Sequence, residues 1–288
     1  MRVLILGAGG QVAGAVAKVM SGPHELIVKT HAEVDIADAE SLDRTLAQAK
    51  VDWIVNGAAY TAVDLAEDQP ARAAAINDAA VGTLAAAASR GRARLLHLST
   101  DFVFDGASNR AYSPNDPPNP LSVYGATKRA GEKRALDGKC AAIVLRTAWV
   151  YAAAGKNFVL TMLKLMRERE QVRVVGDQIG TPTWATGIAY AIRDLLEVGA
   201  PAGVYHWTDL GVASWYDFAV AIQDEALERG LLKRAVSIVP IATSEYPTRA
   251  RRPAFSVLDS KATRDVVAAP AMQWRHNLRM MLDELRAA

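Results

Sequence analysis

The chain has a single cysteine, Cys140, in 288 residues. One thiol excludes an intramolecular disulfide and any metal site built from several thiolates. Its setting, Lys139-Cys-Ala-Ala-Ile-Val-Leu145, places it in the expected core at the start of a buried strand. Long apolar runs are missing too: none approaches the ~20 residues that a membrane-crossing helix needs. The N-terminus enters a strand pattern without the basic, apolar and small-residue succession of a secretory signal, so a soluble cytoplasmic protein with no membrane partner is expected. Charge of one sign is equally scarce. Lys and Arg number 33 against 31 Asp and Glu, a formal net charge of +2, and no field of one sign points to nucleic acid. No His, Asp and Glu residues cluster at metal-ligand spacing, so no metal is expected. No internal repeat is visible.

What is present is a 51% hydrophobic fraction, enough to bury a large core in one domain or two intimate ones. Apolar runs at Val51-Asp-Trp-Ile-Val55, Arg94-Leu-Leu-His-Leu98 and Ala141-Ala-Ile-Val-Leu145 alternate with alanine-rich helical stretches around 71–90 and 126–137. That alternation predicts an α/β protein with a Rossmann-type doubly wound parallel sheet. After Val150 the order is less regular, with a helix at about 185–197, a strand at Gly203-Val-Tyr-His-Trp207 and a helix from Trp215 to Glu228. The layout reads as a nucleotide-binding domain over 1–150 that also receives about 185–210, and a smaller, interleaved substrate-binding domain over 151–288. Ligands of open α/β sheets bind beyond the carboxyl ends of the strands. The loops after Leu6, Val55, Leu98 and Leu145 are therefore expected to converge on one crevice.

The first of those loops carries glycine. Arg2-Val-Leu-Ile-Leu6 runs directly into Gly7-Ala-Gly-Gly-Gln-Val-Ala-Gly14, followed by a helical stretch from Val12 to Met20. Gly7, Gly10 and Ala13 fit a G-x-x-G-x-x-G/A spacing, which lets the backbone bend tightly and bring helix-start N–H groups to a pyrophosphate. A plain strand-to-helix turn is the plainer alternative. Where the second strand should end, near Ile27-Val28, an acidic residue for ribose hydroxyls is absent and Lys29-Thr30-His31 stands instead. A cation there suits the extra phosphate of NADPH and leaves NADH open.

Tyr124 and Lys128 lie four residues apart in Ser122-Val-Tyr-Gly-Ala-Thr-Lys-Arg-Ala-Gly-Glu132. On a helix this puts a phenol and an ammonium on one face, where the cation is expected to stabilise the phenolate and lower the phenol pKa from ~10. An exposed pair on an ordinary helix has the same spacing. The loop Ser99-Thr-Asp-Phe-Val-Phe-Asp-Gly106 adds a hydroxyl and a carboxylate at a strand end, suited to an oxygen-rich ligand or to capping a turn.

With Thr100, the set of hydroxyl, phenol and ammonium is complete, and the chain resembles the extended short-chain dehydrogenase/reductase family, in its branch of nucleotide-sugar reductases. Narrower strings carry the likeness along nearly the whole length: Asn56 to Glu67, Ile76-Asn77, Ser99 to Gly106, Arg146-Thr-Ala-Trp-Val-Tyr151, Gly155-Lys-Asn-Phe158, Gly176-Asp-Gln-Ile-Gly-Thr-Pro-Thr183, Val204-Tyr-His206 and Tyr246-Pro-Thr-Arg-Ala-Arg-Arg-Pro253. The resemblance implies an oxidoreductase that uses NADPH, with NADH left open, to reduce the 4-keto group of dTDP-4-dehydro-6-deoxy-L-mannose. The product would be dTDP-L-rhamnose, in the last step of its biosynthesis for cell-surface polysaccharide. It implies catalysis by Thr100, Tyr124 and Lys128. Cofactor contacts would come from Gly7, Gly10, Gln11 and Val12, from Asp35 and Ile36 beside the adenine, from Ala58, Ala59 and Tyr60, and from Tyr124 and Lys128. The sugar would meet Val63, Thr100, Asp101, Tyr124 and the indole face of Trp149.

Related dehydratases place an acidic residue after the Thr-Asp pair. Phe102 stands there, which favours plain ketone reduction. Arg249, Arg251 and Arg252 offer guanidinium forks for a diphosphate or form a solvated basic loop. His206, inside an apolar strand, reads as a core histidine. Some dimeric relatives share a metal through a glutamate in the first helix, but Ala13-Gly14-Ala15 offers no carboxylate, so a monomer or a homodimer without a bridging metal is expected. Two alternatives stay open: a reductase of another nucleotide-linked 4-keto-6-deoxy sugar, and a non-catalytic nucleotide-binding regulatory subunit of the same fold.

Overall fold

A computed structural model describes residues 1–270 and 272–287 of the chain. The first strand, β1 (Arg2–Leu6), has its last four residues buried, as a continuous apolar run requires when helices cover both sheet faces. It leads through the glycine turn into α1 (Gln11–Val19), then β2 (Glu25–Lys29) and α2 (Ala39–Ala49). The Asp38 carboxylate starts α2 by accepting the N–H groups of Glu40 and Ser41. Next come β3 (Trp53–Asn56), α3 (Val63–Asp68) and α4 (Pro70–Ala74). A π-helical turn at Ala75–Ala79 continues into α5 (Ala80–Gly91). β4 (Arg94–Thr100) follows, then α6 (Val123–Leu136), whose start is capped by Ser122, and β5 (Ala142–Thr147).

The remaining elements are β6 (Val150–Tyr151), α7 (Phe158–Glu168), β7 (Gln171–Val175), β8 (Ile179–Gly180), β9 (Thr183–Trp184), α8 (Ala185–Glu197), β10 (Gly203–His206), β11 (Ala213–Ser214), α9 (Trp215–Glu228), β12 (Ser237–Ile241), α10 (Lys261–Arg264) and α11 (Trp274–Ala287). The chain thus has an α/β fold with a parallel central sheet.

That sheet has six strands in the order β10-β5-β4-β3-β1-β2, every pair parallel. One of its faces packs Val3, Ile5, Val55 and Leu145 against α1 and α8; the other packs Leu4, Ile54 and Val144 against α2 and α5. A separate core joins α7, α9 and α11 through Leu163, Phe218, Ile222, Leu278 and Met281, beside the parallel pair β7–β12. Successive connections leave β1 in opposite directions, to β2 on one side and to β3 on the other. The crevice at the carboxyl ends of the strands opens at that reversal.

Two details differ from the sequence expectation. Cys140 lies in the bend before β5 and is half-buried, because the strand begins at Ala142 and the tight turn after α6 takes up the intervening residues. The helical stretch expected at 71–90 is not one α-helix: its π turn widens the backbone around Asn77. The Asn77 side chain is thereby free to accept the N–H of Tyr60 and to donate to Tyr60 O and Thr127 Oγ1, at 2.9, 3.1 and 3.2 Å.

Candidate active site

At the mouth of the crevice Gly7 has φ +80°, and a Cβ on it would stand 2.6 Å from the Ala58 nitrogen. Only glycine allows the loop after β1 to lie directly on the loop after β3. Gly10 N–H closes the turn on Gly7 O at 2.8 Å and precedes α1, whose first N–H groups face the opening. A Cβ on Gly9 would meet nothing within 4 Å. Gly9, Gly10, Gln11, Gly14, Ala152 and Gly155 line a cleft of about 260 Å³. A close-lying backbone, exposed helix-start donors and open space fit a dinucleotide pyrophosphate. Gln11 ties this turn to the loop before α7: Asn157 Nδ2 donates to Gln11 Oε1 at 2.9 Å. Val12 packs on the sheet core.

Lys29 ends β2 beside the glycine turn, with Ala8 N–H donating to its carbonyl at 3.0 Å. Its ammonium lies 3.5 Å from Glu33, whose carboxylate also accepts the N–H and hydroxyl of Thr30. The expected free cation is therefore partly neutralised by an acidic residue four positions on. Asp35 is exposed and accepts the N–H of Ala37. The Ile36 side chain is in the core at 3% exposure, which leaves its backbone to meet a ligand. Ala58 and Ala59 are half-buried. Tyr60 turns its ring inward and donates its hydroxyl to Gln69 at 3.2 Å.

The fold brings Thr100, Asp101, Tyr124 and Lys128 together where β4 ends against the start of α6. Tyr124 sits in the first turn of α6, edge-on to Phe102 with ring centroids 5.6 Å apart, and packs with Tyr60 and Val63. Two glycines permit this contact: a Cβ on Gly125 would stand 2.2 Å from Phe102 O, and one on Gly131 would stand 2.0 Å from Asn77 O. Thr100 Oγ1 donates to Asp101 Oδ1 at 2.9 Å and accepts the N–H of Phe102 at 3.2 Å. Burial pushes the Asp101 carboxyl up to about 6 against hydrogen bonds from Ser256 and Thr100.

The expected acidification of Tyr124 by Lys128 is not what the protein shows. Burial raises the phenol to about 12, with a hydrogen bond from Thr100 pulling the other way. Burial also lowers Lys128 to about 8, with Glu132 opposing. The lysine nitrogen is itself engaged on β4: Nζ donates to Leu98 O at 2.7 Å and lies 3.4 Å from His97 Nε2.

Trp149 has φ +47°, and its indole stacks on Trp215 at 3.5 Å between centroids and 4° between planes. Gly180 sits so close to the ring edge that a Cβ there would be 2.4 Å from Cε2. One indole face is thus covered by Trp215. The three late arginines divide. Arg252 forms a two-pronged contact with Asp64, its closest distance 2.7 Å, Arg249 pairs with Asp68, and Arg251 is exposed. The loop that carries them is strapped to α3 across the crevice. Arg252, Trp215, Phe158, Arg173, Gln178 and Tyr246 line a cavity of about 720 Å³ beside Trp149.

Beneath the loop that begins at Ser99 lies a buried network that the sequence did not single out. Glu132, fully buried, receives two prongs from Arg146 at 2.7 Å each, Ser99 Oγ at 2.6 Å and Arg129 at 2.8 Å. Burial alone would raise this carboxyl, but the guanidinium of Arg146 and the other donors hold it below its ordinary value. His206 Nε2 lies 3.3 Å from Arg146, and its Nδ1 is 3.0 Å from Tyr112 O. Burial and then the Arg146 charge push it down to about 3, a neutral core histidine. Glu132 is one turn beyond Lys128 on the same helix, a spacing that would have pointed to it.

Among the described residues no group of three His, Cys, Asp or Glu side chains converges as metal ligands, and no helix is long and apolar enough to cross a membrane.

Comparison with known proteins extends this picture. Residues 1–287 match the family model described as the RmlD substrate binding domain. A Burkholderia thailandensis protein named dTDP-4-dehydrorhamnose reductase is 41% identical over 295 residues, covering 99% of each chain. One of the same name from Aggregatibacter actinomycetemcomitans is 39% identical over 285 residues, 96% of this chain and 97% of the other. Among solved structures, a dTDP-4-dehydrorhamnose reductase of Clostridium acetobutylicum superposes with a TM-score of 0.94 at 34% identity, covering 99% of this chain and 100% of that one. The Bacillus anthracis reductase in complex with NADP superposes at 0.92 and 31% identity, covering 98% and 99%.

Proposed function

The chain belongs to the RmlD substrate-binding-domain family, and from that premise we propose that it reduces the 4-keto group of dTDP-4-dehydro-6-deoxy-L-mannose to dTDP-L-rhamnose with NADPH, NADH serving as well. The observation that carries the reading is the convergence of Thr100, Tyr124 and Lys128 at the carboxyl end of β4, one loop away from a glycine turn built for a pyrophosphate. Relatives matching over essentially the whole length bear the reductase name, and one such structure holds NADP.

Bound in the crevice, the nicotinamide supplies hydride to the sugar carbon. The protein must supply a proton to the oxygen. Burial keeps the Tyr124 phenol protonated at neutral pH, so it has a proton to give, and the buried Thr100 hydroxyl beside it is placed to hold the keto oxygen. Lys128, mostly cationic at pH 7 with its value at about 8, stands one helical turn beyond Tyr124 on α6 and is the acid that can restore the phenol. The nucleoside diphosphate half of the substrate fits the cavity beside Trp149, where Phe158, Trp215 and Tyr246 offer rings and Arg173 and Arg252 offer guanidinium groups.

The test is to incubate the protein with NADPH and enzymatically made dTDP-4-dehydro-L-rhamnose, follow loss of nicotinamide absorbance, and identify the sugar by NMR. Stoichiometric oxidation with rhamnose as product is expected. No oxidation would reveal a nucleotide-binding protein without this chemistry, and another sugar would move the substrate assignment.

A further inference from the structure

The hydrogen bonds behind Lys128 set a constraint that its role as proton donor does not by itself require. Asn56, fully buried at the end of β3, accepts the N–H of Ala58 on Oδ1 at 3.1 Å. That contact fixes the amide, because the reverse orientation would set Nδ2 against another donor. Nδ2 therefore faces His97 Nδ1, 3.0 Å away, and His97 Nδ1 must be the acceptor. His97 is 1% exposed, and burial followed by the charge of Lys128 holds it well below its ordinary pKa, so the ring is neutral and carries its single proton on Nε2. That N–H points at Lys128 Nζ, 3.4 Å away. An ammonium has three donors and no lone pair, so it meets another donor there. A neutral amine has a lone pair to receive Nε2–H and still donates to Leu98 O at 2.7 Å.

We propose that His97, locked by Asn56 as its Nε2–H tautomer, is a positioning residue that favours the neutral amine of Lys128 and so makes the lysine a ready proton source for Tyr124. The inference rests on the reductase reading only for its consequence in turnover, while the tautomer itself follows from the hydrogen bonds. The proton count closes. The Tyr124 hydroxyl proton goes to the substrate oxygen as hydride reaches the carbon, a proton of the Lys128 ammonium passes to the phenolate, and the neutral amine so left, held by His97 Nε2–H, takes up one proton from solvent, the one proton the reduction consumes. The charged or titratable groups around Lys128 are Tyr124 and Glu132 on its own helix and His97 on β4, with Arg146 of β5 behind Glu132. Glu132 favours the ammonium, but its oxygens are already taken by Arg146, Arg129 and Ser99. Burial is the main opposing influence, and the Nε2–H of the imidazole adds to it.

Two measurements test this on the full chain. With [15N]histidine labelling, and His97→Gln used to assign the resonance, the wild-type ring is expected to show a protonated Nε2 and a bare Nδ1 near neutral pH. A protonated Nδ1 would overturn the proposal whether or not the protein is a reductase. Asn56→Asp keeps an oxygen for Ala58 N–H and offers a second to His97 Nδ1, which inverts the tautomer and turns Nε2 into an acceptor for the ammonium. The alkaline limb of kcat should then move up by about one pH unit or more. An unmoved limb in a variant shown to have the inverted tautomer would refute the coupling. So would an equal shift in Asn56→Asp/His97→Leu, since the new carboxylate's charge alone would then explain it.

Discussion

A buried phenol raised to about 12 is a poor base and a secure acid, which suits a site that must deliver a proton rather than remove one. Tyr124→Phe should lower kcat by about 10²- to 10⁴-fold. Cofactor binding, measured by protein fluorescence quenching, should change little; a variant that turned over at the wild-type rate would remove Tyr124 from the chemistry. A second residue-scale expectation concerns Lys29, whose ammonium is shared with Glu33. Because Glu33 already answers that charge, Lys29→Ala should reduce the NADPH-to-NADH ratio of kcat/KM by less than about tenfold, while Glu33→Gln, which frees the cation, should raise it. Comparing the two ratios in steady state decides whether this strand end senses the ribose phosphate at all. The Tyr/Lys spacing and the glycine turn were legible in the sequence because each is a local pattern. What Lys128 touches was not, since His97 and Leu98 reach it from β4 and Asn56 of β3 holds His97 in turn, and no periodicity records such contacts. Burial likewise reversed the expected direction of the phenol's shift, a property of the packed molecule and not of a four-residue interval.

At the scale of elements, the site depends on how closely α6 approaches its neighbours. Gly125 and Gly131 are the points of closest approach, the first to the carbonyl of Phe102 and the second to that of Asn77 in the π turn. Gly131→Ala forces a methyl group to within 2.0 Å of that carbonyl, so helix and π turn must separate. Overpacking of this kind usually costs about 1–3 kcal/mol, and here it also loosens the bonds by which Asn77 holds the backbone of Tyr60 and the hydroxyl of Thr127. Denaturant unfolding should show the loss in stability, and kcat should fall with it because α6 carries Tyr124 and Lys128. Full activity together with unchanged stability would mean that the helix shifts at no cost. The helix over 123–136 was readable from its composition, as were the helices at 185–197 and 215–228. The π turn was not, because a widened turn leaves the alanine-rich pattern intact and is fixed by the side chain of Asn77 finding partners on other elements.

Across the whole molecule the sheet and the α7–α9–α11 core meet around Asp209, in the loop between β10 and β11. Its Oδ2 accepts the N–H of Trp184 at 3.2 Å just before α8, and Asn277 of α11 also reaches it. The neighbouring backbone pairs with the start of α11, Trp274 N–H donating to Leu210 O at 3.0 Å. Burial raises this carboxyl from 3.8 to about 7, against the bonds from Asn277 and Trp184. A folded-state value above the unfolded one means that the native protein holds the proton more tightly. The stability gained from Asp209 is therefore complete below about pH 4 and is lost as pH rises through about 7. A shift of that size corresponds to roughly 4 kcal/mol across the window. Asp209→Asn keeps an oxygen for Trp184 and has no charge to expose, so its midpoint of thermal unfolding should exceed that of the wild type at pH 8. The difference should shrink steadily as the buffer is taken towards pH 4. Equal differences at both ends would show that Asp209 is ionised throughout, and that the joint between the two cores is held by the contacts of Leu210 and Trp274 without help from a protonated acid.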